Sequence, residues 1–288
     1  MKTQSPDTTP EAERVQIELL RRASPARRLE LAMSLSQWVL QLSWQGIREL
    51  HPEFDEHEVR LASLASRYVL PLAERVRISL LGRTIVNMQP SVLAALVPVI
   101  DALEQMGIPY YIGGSVASSL YGRPRSTMDV DLVADLKLEH VKPFIAQLQN
   151  TYYVDELAAR DAIQRQSSFN LIHFDTTVKI DVFVLKSRPF DHEAFSRIRR
   201  QEPGDAATHP AFVWPSPEDT ILAKLEWYRM GGETSERQWL DIQGILKVQA
   251  NALDLAYMRQ WAATIGVADL LARALDDAGL APDAPPTT

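Results

Sequence analysis

The sequence predicts an α+β fold: a mixed β-sheet with helices on its face, flanked by an N-terminal helical segment and a C-terminal helical bundle. Three observations carry this. Helical and β-type patterns alternate between residues 91 and 215. The run Val178-Lys179-Ile180-Asp181-Val182-Phe183-Val184 alternates strictly, and a period of two with Val and Ile enrichment is a strand signal. Both flanks carry helical patterns opened by capping residues.

In chain order, residues 1–10 and 281–288 are rich in Pro, Thr and Asp and are expected to be disordered. Residues 11–85 form an N-terminal helical module. Ser24-Pro25 starts a helix that runs through Trp38 and Trp44 to Leu50, and Asp55 with Glu58 starts the next as a capping box. The first of these is apolar on more than one side (Leu31, Leu35, Trp38, Leu42, with Met33, Val39 and Leu40), so it is expected to be largely buried. Residues 91–215 form the α/β core. Helices are predicted over 91–106, 115–121, 138–148 and 155–164, and strands over 109–112, 128–133, 151–154, 167–174 and 178–185. A C-terminal subdomain, 216–280, reads as four helices over 217–230, 235–248, 253–265 and 267–278. Ser216 is its N-cap, Pro217 fits the first helical position, and Asp219 sits where a capping box wants an acid.

The chemistry concentrates in the core. An apolar run enters Gly113-Gly114-Ser115, and Asp129-Val130-Asp131 follows fifteen residues after Gly114. In a strand, Asp129 and Asp131 point to the same face while Val130 and Leu132 point into the core. Two carboxylates on one face can share a hard cation, and bare backbone N–H groups at a helix start can hold phosphate. Asp181 lies at the centre of its strand. If that strand lies beside the first, three carboxylates converge, a set suited to two Mg²⁺ ions roughly 4 Å apart.

The run from Gly-Gly-Ser through Arg125-Ser126-Thr127-Met128 into Asp129-x-Asp131, with the later strand Asp181, resembles the DNA polymerase beta-type nucleotidyltransferase superfamily. The C-terminal part narrows the likeness. Pro217-Glu218-Asp219 leads to Lys224-Leu225, and Arg237-Gln238-Trp239-Leu240-Asp241-Ile242 follows. This layout is similar to the AbiEii-like minimal bacterial nucleotidyltransferases, some of which are toxin–antitoxin proteins. The resemblance covers about residues 91 to 278. It implies a nucleotidyltransferase core in which Asp129, Asp131 and Asp181 hold two Mg²⁺ ions. By the same likeness, Gly113, Gly114, Ser115, Arg125 and Lys224 bind the nucleotide. Asp181 helps activate the attacking hydroxyl, Lys224 neutralises triphosphate charge, and Asp241 orients it or a neighbour. A Lys beside an apolar stripe also commonly snorkels, and Arg237, four residues before Asp241, can pair with it on the helix.

Composition excludes other classes. The chain has no cysteine, hence no disulfide, thiolate zinc site or Cys nucleophile. Its six His form no metal-ligand spacing, and no GxSxG, Walker A or GxGxxG pattern occurs. There is no membrane-spanning run and no secretory signal, so a cytoplasmic protein without a membrane partner is expected. A net charge of −7 argues against a general nucleic-acid coat. A local patch of Arg188, Arg197, Arg199 and Arg200 is either a solvated helix end or a contact for RNA or nucleotide phosphates.

The expected partners are a nucleoside triphosphate, an RNA (perhaps tRNA) or protein acceptor, and an antitoxin or other partner protein. The expected reaction is Mg²⁺-dependent transfer of a nucleoside monophosphate to a hydroxyl. The alternative is a catalytically inactive nucleotide-binding or partner-docking protein on the same fold. A third class, a metal-dependent phosphohydrolase, lacks the His-Asp pairs it would need. The N-terminal helices offer no catalytic set; scaffolding, docking or inhibition are the roles open to them.

Overall fold

The computed structural model describes residues 3, 8–68, 70–80, 91–201 and 211–280. The disorder expected at 281–288 lies outside the described residues, as does most of that expected at 1–10. In chain order the helices are α1 (Pro10–Arg22), α2 (Pro25–Leu50), α3 (Glu56–Arg67), α4 (Leu70–Leu80), α5 (Val92–Gln105), α6 (Gly114–Tyr121), α7 (Val141–Leu148), α8 (Glu156–Arg165), α9 (Pro189–Ser196), α10 (Pro217–Met230), α11 (Glu236–Gln249), α12 (Leu255–Thr264) and α13 (Ala268–Ala278). The strands are β1 (Tyr110–Ile112), β2 (Asp129–Ala134), β3 (Tyr152–Val154), β4 (Ser168–His173), β5 (Lys179–Val184), β6 (Arg199–Gln201) and β7 (Phe212–Trp214). The fold is α+β, as expected.

The chain divides into two compact units. One comprises residues 31–112 and 125–186 and is here called the sheet unit. The other comprises residues 1–30, 113–124 and 187–288 and is called the helical unit. The boundary between residues 30 and 31 falls within α2.

The sheet unit holds a five-stranded mixed sheet in the order β1-β2-β5-β4-β3. Its central pair, β2 and β5, is parallel; the other pairings are antiparallel. In β2 and β5 every second residue is buried: Val130, Leu132 and Ala134, with Ile180, Val182 and Val184. This is the period-two pattern of a sheet with one packed face. Helix α5 starts at the Ser91 cap, whose hydroxyl accepts from the Ala94 N–H, and buries Leu96, Val99, Ile100 and Leu103. It is tied to β3 by the Tyr152 hydroxyl, which donates to the Ala95 carbonyl at 2.7 Å. The capping box of Asp55 and Glu58 forms as predicted. Helices α3 and α4 pack on the sheet through a cluster of Leu64, Val76, Ile172 and Phe174, with Tyr68 and Tyr153 at its margin.

The expectation that 25–50 would be largely buried is corrected. Leu40 and Trp44 are buried, but Trp38 is 64% exposed and Leu42 61%, with Leu35 and Val39 also exposed. The helix is apolar on two sides, and among the described residues only one of them is buried.

In the helical unit, α10 and α11 pack on each other and on α6, α12 and α13 flank them, and α1 packs on α11. Ser216 caps α10, and its hydroxyl donates to the Asp219 carboxylate at 2.6 Å. The Arg28 guanidinium is buried and donates to the Leu120 carbonyl at 2.8 Å and to the carbonyls of Leu20 and Ala23. Lys247 and Glu13 form an ion pair buried on both sides. The two-stranded sheet of β6 and β7 was not predicted: Arg199-Arg200-Gln201 has no apolar alternation, and Phe212-Val213-Trp214 is only three residues long.

Candidate functional site

The carboxylates come together through the register of β2 and β5. Asp131 pairs with Asp181 across the parallel strands, and Asp129 pairs with Lys179. Residues two apart share a face, so Asp129, Asp131, Lys179 and Asp181 stand on one face of the sheet while Val130, Leu132, Ile180 and Val182 fill the opposite, fully buried one.

Lys179 joins the set. Its Nζ lies 2.8 Å from Asp181 Oδ2 and 3.9 Å from Asp129 Oδ2. Burial pulls the Lys179 pKa down, but the hydrogen bond to Asp181 and the attraction of Asp181, Asp129 and Asp131 outweigh it, so the ammonium is held charged above its ordinary range. Burial pushes the Asp129 carboxyl up, Lys179 opposes this, and the neighbouring Asp181 adds to it. The remaining oxygens also have donors. Asn170, opposite Asp181 on β4, donates its amide to Asp181 Oδ1. The Tyr68 hydroxyl, just past the end of α3, lies 3.4 Å from Asp129 Oδ1 and 3.2 Å from the Thr177 carbonyl. Burial raises the Tyr68 phenol well above its ordinary range. Arg67 donates to the Thr177 hydroxyl, and its guanidinium lies over the Tyr68 ring at 5.3 Å.

These contacts bear on whether the residues fit divalent ions. The residue types are right, and the register sets Asp131 beside Asp181. In the present arrangement, however, Lys179, Asn170 and Tyr68 engage the carboxylate oxygens of Asp129 and Asp181. Among the described residues no three His, Asp or Glu side chains form a group ready to hold a metal ion. Arg125 lies in the same unit and donates to the Ser126 carbonyl at 3.1 Å.

The other candidates belong to the helical unit. Gly113 is the N-cap of α6, and Gly114 takes φ +55°, a left-handed conformation that an L side chain adopts only with strain. Ser115 follows in the first turn, partly exposed. Lys224 on α10 and Asp241 on α11 form an ion pair at 2.8 Å, with side chains 9% and 4% exposed. Asp241 therefore meets Lys224, not just a neighbour on its own helix. Of the arginine patch, Arg188 is bound to Asp191 and Glu226, and Arg197 to Glu218 and Asp219, with its guanidinium 3.8 Å from the Tyr257 ring centre.

Sequence reasoning passed over Lys179, Asn170 and Tyr68. Lys179 was legible as a face-mate of Asp181 from the alternation. Asn170 becomes a neighbour only through the antiparallel register of β4 and β5. Tyr68 is brought in by the packing of α3, which no local pattern announces.

A family model described as "Rv0078B-related antitoxin" matches residues 21–77. That is well under half of the chain, and Arg67 and Tyr68 lie within it. Among solved structures, the chain is similar to an antigenic nucleotidyltransferase-like protein from Paracoccidioides brasiliensis, at 20% identity and a TM-score of 0.38, covering 63% of this chain and 91% of that one. No curated protein matches the chain.

Proposed function

We propose that the chain is a nucleotidyltransferase that moves a nucleoside monophosphate from a nucleoside triphosphate to a hydroxyl acceptor, RNA such as tRNA or a protein. The observation that carries this reading is the parallel register that sets Asp131 beside Asp181 with Asp129 on the same face. Asp129, Asp131 and Asp181 would hold Mg²⁺ once Lys179 gives way. The ion's chemistry is to neutralise and polarise the phosphates of the triphosphate. Asp181 would accept the proton of the attacking hydroxyl. The phosphate-binding roles of Gly113, Gly114, Ser115, Arg125 and Lys224, and the orienting role of Asp241, rest on the family resemblance; the left-handed Gly114 supports a backbone-lined turn at α6. Incubation with each α-labelled triphosphate, Mg²⁺ and total RNA or protein extract tests the reading. Label should pass to an acceptor and be lost in Asp129→Asn.

A second element of the reading concerns regulation. The segment matching the antitoxin-related model supplies Tyr68 to Asp129 and Arg67 to Thr177. This supports a toxin–antitoxin type of protein in which an inhibitory segment is joined in cis. Removing residues 1–85 outright would take away Leu64 and Val76 and uncover Ile172 and Phe174, so a point change is the cleaner probe. Tyr68→Ala should raise transfer several-fold; unchanged or lower transfer in a folded variant argues against inhibition. The alternative, a catalytically inactive nucleotide-binding or partner-docking protein, is favoured by the same occupied carboxylates. Its signature is triphosphate binding without turnover in both the parent chain and Tyr68→Ala.

A further inference from the structure

We infer that Lys179 is a tethered cation that holds the carboxylate face of the sheet together, and that a divalent ion gains this face only by displacing its ammonium group. The inference rests on the nucleotidyl-transfer reading above and deepens it.

The argument starts from position. Lys179 lies two residues before Asp181 on β5 and is the cross-strand partner of Asp129 on β2. A four-carbon side chain at that point can reach only this face. Its ammonium sits within hydrogen-bonding distance of Asp181 and within 3.9 Å of Asp129, and it also feels Asp131. The Lys179 side chain is 19% exposed, so water screens these attractions only in part. Three carboxylates on one face would otherwise repel one another, and one ammonium leaves the group at about −2 rather than −3. Asn170 and Tyr68 fix the outer oxygens of Asp181 and Asp129, so the carboxylates are aimed at Lys179 from both sides.

Mg²⁺ binds oxygen at about 2.0–2.1 Å in near-octahedral geometry. An ammonium 2.8 Å from the same oxygen occupies that volume and repels the ion. Metal affinity of the free chain is therefore set by competition within the protein. Removing the charge at residue 179 should tighten metal binding, whereas a lysine that merely filled space would leave it unchanged.

The test is Mn²⁺ binding to the full chain, read by the loss of the free-ion electron paramagnetic resonance signal, which needs no catalysis. Lys179→Met should bind Mn²⁺ at least about tenfold more tightly than the parent chain. Lys179→Gln, which keeps a donor toward Asp181 without the charge, should show the same gain, and Lys179→Arg, which keeps the charge, should not. In the Met variant, added Asp131→Asn should abolish the gain. Thermal melts give an independent readout: in chelator Lys179→Met should melt below the parent, and Mn²⁺ should restore it. Equal or weaker Mn²⁺ binding in both uncharged variants, with the parent still binding, overturns the role of Lys179 and leaves the nucleotidyl-transfer reading standing. No Mn²⁺ binding in any folded variant overturns both.

Discussion

At the scale of single residues, burial decides how much a charged pair costs to break. Lys224 and Asp241 were expected to work on a triphosphate, yet their side chains are 9% and 4% exposed and face each other at 2.8 Å. A buried pair is expensive to break from one side, because the remaining charge loses its close counter-charge in a poorly solvated site. Lys224→Met should cost about 3–5 kcal/mol in denaturant unfolding, and the double change Lys224→Met with Asp241→Leu should recover much of it. If Lys224→Met instead leaves stability unchanged but weakens triphosphate binding, the pair belongs to nucleotide recognition.

His173 makes a residue-scale prediction about pH. It is 3% exposed, and its Nδ1 accepts from the Thr176 N–H, so the buried ring is the neutral form. Burial lowers its pKa to about 4. The folded pKa lies below the unfolded value of roughly 6.5, so the unfolded chain takes up the proton first. The contribution is intact above that value and is lost as pH falls toward 4, by about 3 kcal/mol at most. Denaturation midpoints at several pH values should show this loss, and His173→Asn should flatten that part of the profile.

At the scale of elements, close approach and register decide. In the helical unit, Gly122 just after α6 lies against α11: a Cβ there would stand 2.7 Å from the Ile245 nitrogen and 2.8 Å from the Gly244 carbonyl carbon. Both are backbone atoms and cannot swing aside. Gly122→Ala should cost about 1–3 kcal/mol by overpacking. Gly46, within α2, has open space around its Cβ position, so Gly46→Ala should stabilise by up to about 1 kcal/mol through helix propensity. Paired thermal melts check both directions at once; a Gly122→Ala melt equal to the parent would contradict the close α6–α11 approach.

Local patterns made most elements legible. The bounds of α10 were read correctly because Ser216 and Pro217 announce its start and Gly231 follows its last residue. The alternation put Asp129 and Asp131 on one face of β2, and Asp181 on the face of β5 opposite Ile180 and Val182. Their mutual approach was a conditional expectation, since strand order is not written in local periodicity; the parallel pairing of β2 with β5 supplied it. What stayed illegible was set by long-range packing: the ion pair of Glu13 with Lys247, the cap of Arg28 on Leu120, and the arrival of Tyr68 at Asp129. The exposed Leu35, Trp38 and Leu42 misled because apolar periodicity says a face can be buried, not that a partner is present.

At the scale of the whole molecule, charge bears on which partners fit the proposed reaction. The chain carries a net charge of −7, and Arg188 and Arg197 already serve carboxylates of their own unit. Broad phosphate-backbone binding is a poor match for that distribution, because such affinity grows with the number of phosphates neutralised. An RNA acceptor would have to be met at a few points. No described helix is long and apolar enough to cross a membrane. The segment matching an antitoxin-related model and the carboxylate-bearing sheet occur in one chain, with Tyr68 of the first touching Asp129 of the second.

The central claim is that the face bearing Asp129, Asp131 and Asp181 performs nucleotidyl transfer. The most direct measurement compares α-labelled with γ-labelled triphosphate, using the Tyr68→Ala chain, Mg²⁺ and total RNA or protein as acceptor. The account predicts transfer of the α-label alone, with the γ-label leaving as pyrophosphate, and loss of transfer in Asp131→Asn and Asp181→Asn and on chelation. Transfer of the γ-label, or α-label transfer that survives both substitutions, would contradict it.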